Sequence, residues 1–273
     1  MADLNLSAET KAEWERFTVS GIVSYTNMVD KVRDSIKMID NVEQYIVQQG
    51  HAMPPENKHL RRLSECSMLV GLIWLDITAA FRIYLNAKER YEVIYAVKQL
   101  TITINEGFKQ IYNYVSLDEN GNSKTRERNQ SFWVKDIGNI VKMELPHLLP
   151  EYEKITSSLD TYDDQELKDM KEPRNLFVHF DREASAVYDE LQKQDIEKIA
   201  RKALPFMNIL TDMIKFNQLL LNEYNTIIGQ RKNDMLNEKI NAFESLRDKL
   251  GSNPDALGLL DQVQSFLKNH KIG

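Results

Sequence analysis

The chain has 273 residues, of which 42% are hydrophobic and 28% are charged, and its ten glycines and seven prolines are few for this length. These proportions are close to globular averages and disfavour both a disordered chain and a β-rich fold. The formal net charge of −6 argues against a protein that coats nucleic acid through a broad basic surface, although an enzyme can contact RNA through a few well-placed cations.

The first predicted element is one long helix, which begins at the N-cap candidate Ser7 and runs towards Gln49. Apolar residues recur along it at steps of three and four, which is the spacing of a single helix face. Gly50, Pro54 and Pro55 should end it, because glycine suits a left-handed cap and proline cannot continue the hydrogen-bond ladder.

Two further core helices are predicted over roughly Glu56–Asn86 and Lys88–Val115, with only a faint break between them near Asn86. The polar run that follows, Leu117–Ser123, predicts an exposed turn. Because glycine is sparse and every long periodic segment has the helical step, we expect at most one small hairpin near Gly121.

The second of these helices contains an apolar stretch, Cys66–Ala87, that approaches the length needed to span a membrane. Asp76 lies near its middle and Arg82 follows, and a charge at a bilayer centre costs roughly 2.5–3.5 kcal/mol on insertion scales. We therefore expect a central helix buried by its neighbours and no membrane association.

The helical pattern resumes at about residue 130, is interrupted by Pro146 and Pro150, and reaches about residue 159. The polar run Asp160–Asp164 then offers an N-cap for a helix that carries Leu167 and Met170. These segments predict several shorter helices between the long ones.

The last part of the chain predicts one more long helix over about Asp195–Ile228, with an expected kink at Pro205. After Gly229–Lys232 comes a charged amphipathic helix, and Gly251–Pro254 opens a final helix to about Lys268. The predicted fold is an all-α, multi-helix bundle with long antiparallel helices. Residues 1–229 form its helical domain, and residues 230–273 form a C-terminal helical appendage.

Metal ligands are poorly represented in the sequence. The single cysteine, Cys66, permits neither a disulfide framework nor a cysteine-based zinc site. Asp118, Asn120 and Asn122 have the spacing of an EF-hand loop, but that loop would lack its glycine and its bidentate glutamate. We expect no metal and no cofactor.

The amino terminus lacks the basic and apolar regions of a signal peptide, so we expect a cytoplasmic protein.

The segment Arg174-Asn175-Leu176-Phe177-Val178-His179 combines residues suited to phosphodiester chemistry. On a helix, Asn175 and His179 share one face, and the long side chain of Arg174 can curl towards it. Histidine moves protons near neutral pH, and a guanidinium binds phosphate through a fork of donors. With RNA, the 2′-hydroxyl is itself the nucleophile, so the reaction requires neither a protein nucleophile nor a metal.

At these residues the chain resembles the HEPN family (higher eukaryotes and prokaryotes nucleotide-binding), whose Arg-x4-6-His motif often has a polar residue after the arginine. The likeness is close in the motif and looser over the helical region from about Glu56 to Tyr224. It implies a metal-independent endoribonuclease with Arg174, Asn175 and His179 as catalytic residues and RNA as substrate. It also implies a homodimer that pairs two motifs, often as a toxin with an antitoxin or as a component of phage defence.

Glu106, on the third predicted helix, is a candidate acidic partner for Arg174, since related bundles often carry a polar residue near the motif, although a solvated glutamate is the commoner role. The motif also has a structural interpretation, in which Arg174 pairs with a neighbouring carboxylate and His179 bonds a helix end. Two hypotheses follow: a HEPN-like ribonuclease, and a catalytically silent helical interaction or regulatory protein with a HEPN fold.

Overall fold

The computed structural model describes residues 8–52, 54–112, 115–117, 123–126, 128–170, 174, 185, 188, 196–250 and 254–269. These residues form an all-α helical bundle with one small hairpin, which confirms the predicted fold class. The α-helices are α1 (Ala8–Gln48), α2 (Pro55–Asn86), α3 (Arg90–Ile111), α4 (Gly138–Glu144), α5 (Leu149–Tyr162), α6 (Ile196–Leu250) and α7 (Pro254–Asn269). Two strands, β1 (Val115–Leu117) and β2 (Ser123–Arg126), pair antiparallel.

Shorter helical segments connect these elements. Turns of 3-10 helix lie at Arg128–Gln130, Pro146–Leu148 and Lys168–Met170, and π-helical segments lie at Phe132–Ile137 and Asp163–Leu167. By its internal contacts the chain divides into two compact units, Met1–Leu220 and Leu221–Gly273. The domain boundary expected after residue 229 stays a prediction.

The end of α1 follows the predicted chemistry. Gly50 has a φ of +77°, and its N–H donates to the carbonyl of Val47 while the N–H of His51 donates to the carbonyl of Ile46. This pair of bonds is a Schellman cap, which satisfies carbonyls that the helix end would otherwise leave unpaired. Pro55 then opens α2 at a position where the absence of an N–H costs nothing.

The break between α2 and α3 is sharper than the sequence indicated. The expected third helix, Lys88–Val115, is α3, which runs from Arg90 to Ile111. The side chain of Glu89 caps the start of α3 by accepting the backbone N–H of Glu92. The side chain of Glu92 in turn accepts the backbone N–H of Glu89. This reciprocal capping box gives the new helix a defined start that hydrophobic periodicity does not reveal.

Asp160 connects the base of the hairpin to α5. Its Oδ1 accepts the hydroxyl of Tyr112, just before β1, at 2.6 Å and the guanidinium of Arg128, just after β2, at 2.6 Å. The guanidinium carbon of Arg128 also lies 4.6 Å from the ring centroid of Tyr112. Both ends of the predicted hairpin are therefore held to one carboxylate.

The sequence expectation that Asp160–Asp164 caps a new helix was wrong. α5 continues to Tyr162, and helical geometry persists through the π-helical segment Asp163–Leu167 and the turn Lys168–Met170. An N-cap residue leaves the helical region of backbone space, whereas Asp163 stays within it at φ −59° and ψ −43°. Leu159, Tyr162, Leu167 and Met170 are all buried, so continuous core contact keeps the segment helical.

The break expected at Gly229–Lys232 is also absent, because α6 is one continuous helix of 55 residues with Pro205 inside it. A glycine within a helix costs only about 1 kcal/mol relative to alanine. Good helix formers on both sides of Gly229 can offset that cost. Residues 196–220 of this helix belong to the first unit, and the rest belongs to the second.

The core of the first unit surrounds the initial turns of α6. The ring of Phe206 stacks on Tyr162 of α5, with centroids 5.2 Å apart, and lies 5.9 Å from Phe108 of α3. Further along α6, the side-chain amide of Asn217 donates to the carbonyl of Leu63 at 2.8 Å and to the hydroxyl of Ser67 at 2.7 Å, both on α2. α6 thus contacts α2, α3 and α5 through named side chains.

Among the described residues, α2 is the one helix that is long and apolar enough to cross a membrane by length and composition. α1 and α3 pack closely against α2, and its apolar side chains form these contacts. A Cβ at Gly71 would lie 2.9 Å from Val29 of α1, and a Cβ at Gly107 of α3 would lie 2.7 Å from Ile73. These contacts support the interpretation as a core helix, and the absence of a membrane role stays a prediction.

In the second unit, α7 runs back along α6. Arg247 and Asp261 are 14 residues apart in the chain, yet their side chains meet at 2.6 Å. Fourteen residues of straight helix would separate them by about 21 Å, so the chain reverses between α6 and α7. Ile240 of α6 and Leu260 of α7 are buried, as expected for facing sides of an antiparallel pair.

Replacing Phe206 with alanine should lower the free energy of unfolding by about 3–5 kcal/mol, because a cavity would open between α3, α5 and α6. Asn208→Ala, at an exposed position one residue beyond Met207 on the same helix, should change it by less than about 0.5 kcal/mol. Urea denaturation followed by circular dichroism measures both. A Phe206→Ala variant as stable as the wild type would contradict the central role of this ring.

Candidate functional site

The structure describes two of the four predicted site residues. Arg174 is helical and partly buried, and Glu106 lies on α3. Asn175 and His179 lie outside the described residues. The geometry of the site is therefore built from Arg174, Glu106 and the side chains around them.

Glu106 and Arg174 form an ion pair across a separation of 68 residues in sequence. Nη2 of Arg174 donates to Oε1 of Glu106 at 2.7 Å, and Nε donates to the same oxygen at 3.1 Å. Nζ of Lys109, one turn further along α3, donates to this oxygen at 2.9 Å. Glu106 is thus an acidic partner of Arg174, and the commoner role of a solvated glutamate does not apply to it.

The two cations of this cluster are more buried than the carboxylate that they share. Only 22% of the Arg174 side chain and 23% of the Lys109 side chain are exposed, against 42% for Glu106. Desolvation raises the pKa of the Glu106 carboxyl, but hydrogen bonds and charges from Lys109 and Arg174 outweigh it and hold the pKa below its ordinary 4.5. Glu106 is ionised at neutral pH, and the three side chains together carry one net positive charge.

The position of Glu106 depends on the packing of α3. Phe108 is fully buried against Tyr162 and Phe206, and Gly107 lets α3 approach Ile73 of α2 closely. Glu106 and Lys109 are three residues apart and so lie on one side of the helix, away from Phe108. Because α3 is fixed by these core contacts, the carboxylate that holds Arg174 has a defined place.

A second charged cluster, centred on Lys202 of α6, was not predicted from the sequence. Nζ of Lys202 lies 3.0 Å from Oε2 of Glu166 and 3.0 Å from Oδ2 of Asp169, while its side chain is only 8% exposed. The hydroxyl of Tyr162 donates to the backbone carbonyl of Lys202. The sequence feature that could have indicated this cluster is the position of Lys202 itself, four residues before Phe206 and on the apolar side of the predicted helix.

The lysine at the centre of this cluster stays charged. Burial lowers the pKa of Lys202, but the hydrogen bonds and charges of Glu166 and Asp169 raise it above its ordinary value. Both carboxylates belong to the last helical turns before Arg174, on Asp163–Leu167 and Lys168–Met170. Lys202 therefore anchors to α6 the part of the chain that leads into the motif.

An open groove adjoins Lys202 between α6 and the segment that follows α5. A cavity of about 640 Å³ is lined by charged side chains of both signs: Glu166, Asp169, Lys198, Arg201 and Lys202. A second cavity of about 730 Å³ shares Gln165, Glu166 and Pro205 with it and extends along α5. The mixed charge of the lining indicates no strong preference for an anion over a cation.

The described residues contain no group of three or more His, Cys, Asp and Glu side chains placed to hold a metal ion. No family model, curated protein or solved structure matches the chain. The HEPN resemblance therefore rests on the Arg174–His179 motif and the helical architecture, and it stays a prediction.

The pKa of the Glu106 carboxyl should rise when Arg174→Ala or Lys109→Ala removes a donor. Because this pKa is depressed in the folded protein, the ion pair stabilises the fold above the ordinary pKa of 4.5, and the stabilisation is lost as the pH falls through the lower folded-state value. NMR titration of labelled glutamate carboxyls measures the shift. Lys142→Ala, at an exposed position on α4, is the matched control. A Glu106 pKa that stays constant in both variants would contradict the pairing.

Proposed function

We propose that the protein is a HEPN-like, metal-independent endoribonuclease, with Arg174, Asn175 and His179 as catalytic residues and Glu106 as a positioning residue. The observation that supports it most is the ion pair between Arg174 and Glu106, since the motif arginine is held by an acidic side chain of a core helix. Catalytic groups work best when their orientation is fixed before the substrate binds.

In the proposed reaction, the 2′-oxygen attacks the adjacent phosphorus and loses its proton, and the bond from phosphorus to the 5′-oxygen breaks. His179 exchanges a proton with the 2′-hydroxyl or with the leaving 5′-oxygen, and solvent water supplies the other proton transfer, so that one proton is lost from the 2′-oxygen and one is gained by the 5′-oxygen. Arg174 stabilises the charge that builds on the phosphate, and Asn175 holds the geometry. The products are a 2′,3′-cyclic phosphate and a free 5′-hydroxyl.

The charges around Arg174 suit such a substrate. A guanidinium binds a phosphate through a fork of N–H donors. Lys109 adds a second cation at the same carboxylate, so two cations and one carboxylate meet at Glu106. A phosphodiester backbone is attracted to such a cluster even though the whole chain carries −6.

A second candidate function is a catalytically silent interaction or regulatory protein that keeps a HEPN-type fold. The observation that favours it is the low exposure of Arg174, at 22%, with its charge met by a carboxylate of its own chain. In that case the ion pair serves the stability of the bundle. The two functions differ in whether the motif is needed for cleavage or for folding.

The biological setting belongs to the same proposal. We infer a cytoplasmic protein that acts on RNA, works as a homodimer and is controlled by an antitoxin or other regulatory protein, in a toxin–antitoxin or phage-defence system. The support is the motif and its resemblance.

Cleavage of RNA should survive EDTA and leave a 2′,3′-cyclic phosphate or its hydrolysis product. His179→Ala should lower the rate by about 10²–10⁴-fold and Arg174→Ala by about 10²–10³-fold, because one removes proton transfer and the other electrostatic stabilisation. The matched controls are His147→Ala and Arg82→Ala, at exposed positions on other elements. Product analysis of a labelled RNA gives the rates.

The same assay separates the two functions. A substrate with a 2′-deoxy sugar at the cleaved position should resist cleavage, since it lacks the nucleophile. If His179→Ala and Arg174→Ala cleave RNA as fast as the wild type, or if the deoxy substrate is cleaved, the ribonuclease proposal fails. If both variants lose their helical circular dichroism, the motif has the structural role.

A further inference from the structure

One side of α3 carries a row of side chains that leads from the first turn of this helix to Glu106. Residues at steps of three and four lie above one another on a helix, within about 80° around its axis. All six members of the row are exposed or half-buried, so the row lies on the side of α3 that faces away from the core. The row, which we call the tyrosine stripe, consists of Tyr91, Tyr95, Lys98, Ile102, Glu106 and Lys109.

The first two members of the tyrosine stripe are aromatic and accessible. Tyr91 is 71% exposed and Tyr95 is 45% exposed, although the opposite side of the same helix is core. No described residue forms a ring contact or a hydrogen bond with either side chain. One exposed tyrosine is ordinary, but two rings four residues apart on one helix side form an adjacent pair with free faces.

The far end of the tyrosine stripe is the candidate site. Glu106 accepts Nη2 of Arg174 at 2.7 Å, and Lys109 meets the same oxygen. At about 1.5 Å per residue, Tyr95 lies about 16 Å and Tyr91 about 22 Å before Glu106 along the helix axis. A stacked single strand laid along α3 would cover these distances with roughly five to seven nucleotides, at about 3.4 Å each.

The charged residues of the stripe suit a phosphate backbone. Lys98 lies between the two tyrosines and the cluster of Glu106, Lys109 and Arg174. These described residues contribute three cations and one carboxylate, in a chain whose formal charge is −6. The two glutamates of the capping box at the start of α3 accept backbone N–H groups, and the positive end of the helix dipole offsets part of their charge.

Accessible aromatic rings beside cations are the features by which proteins bind single-stranded nucleic acid. Unpaired bases stack on the rings, while lysine and arginine side chains contact the phosphates. In a duplex the faces of the bases are covered by their neighbours, so the rings would have nothing to stack on. A protein partner would call for a broader apolar surface, whereas Ile102 is the one aliphatic member of the stripe.

We propose that the tyrosine stripe binds single-stranded RNA and leads it to the candidate site. Bases stack on Tyr91 and Tyr95, and phosphates contact Lys98 and Lys109. The inference rests on the proposed function in one respect, namely that the RNA bound here is the substrate. It assigns the substrate class as RNA that is unpaired on one side of the cleaved bond. The tyrosines lie far from the reacting phosphate, so they act on affinity and not on the chemical step.

Fluorescence anisotropy measures this binding separately from cleavage. The probe is a labelled 2′-O-methyl RNA of about 12 nucleotides, which is long enough to span the stripe and is not cleaved because its 2′-hydroxyls are blocked. Tyr91→Ala and Tyr95→Ala should each raise its dissociation constant by about 5–150-fold, the loss expected for one stacked base. Tyr95→Phe keeps the ring and should bind as the wild type does. The matched control is Tyr45→Ala, at a position 64% exposed on α1, which should also leave binding unchanged.

A second probe tests the preference for a single strand. The same RNA annealed to its complement should bind more weakly, and its affinity should be the same in the wild type and in Tyr91→Ala and Tyr95→Ala. A wild type that binds the duplex as tightly as the single strand would overturn the proposal. So would a wild type that does not bind the single strand at about 100 µM, the weak end of ordinary non-specific binding.

Cleavage assays distinguish this inference from the ribonuclease proposal. If the wild type cleaves RNA, Tyr95→Ala should raise KM and leave kcat nearly unchanged, because the lost contact is equally strong in the ground state and the transition state. If the alanine variants lose binding but the wild type does not cleave, the binding surface stands and the ribonuclease proposal fails. If the wild type cleaves while both alanine variants bind the probe as tightly as it does, the tyrosine stripe is not the binding surface and the ribonuclease proposal stands.

Discussion

The ring of Phe206 is the contact on which the first unit depends, because it joins three helices that are distant in sequence. It stacks on Tyr162 of α5 and lies against Phe108 of α3, and all three side chains are buried. Aromatic pairs of this kind stabilise by about 0.5–1.5 kcal/mol beyond the area they bury. They also restrict how the helices can rotate, so the polar residues next to them acquire defined directions.

Residues of both charged clusters lie close in sequence to these three rings, on the same helical segments. Glu106 and Lys109 flank Phe108 on α3, and Lys202 lies one turn before Phe206 on α6. Glu166 and Asp169, the partners of Lys202, follow Tyr162 within two turns. The core therefore fixes the carboxylate that holds Arg174 and, through Lys202, the part of the chain that leads into the motif. A substitution that changes the packing of these rings would therefore shift the charged residues of the candidate site even if no polar residue is replaced.

The two clusters differ in solvent exposure, and that difference separates their expected roles. Lys202 is almost fully buried, where an unpaired charge is costly, so its two carboxylates are needed for the fold itself. The Glu106 side chain is 42% exposed, so solvent screens its ion pairs and their contribution to stability is smaller.

The sequence by itself determined the fold class, the first three long helices and the cap at Gly50, and it allowed at most one small hairpin after α3, because hydrophobic periodicity and turn residues act locally along the chain. It also singled out Arg174 and Glu106 as candidate partners. The continuation of α6 through Gly229 is a local effect that the glycine concealed, since good helix formers lie on both sides of it. Only the tertiary structure decided that Asp160 joins the hairpin to α5 and that Lys202 holds Glu166 and Asp169. Both depend on residues distant in the chain meeting in space. Local propensity cannot specify such contacts, since the cost of a buried lysine is outweighed only once its partner carboxylates are in place.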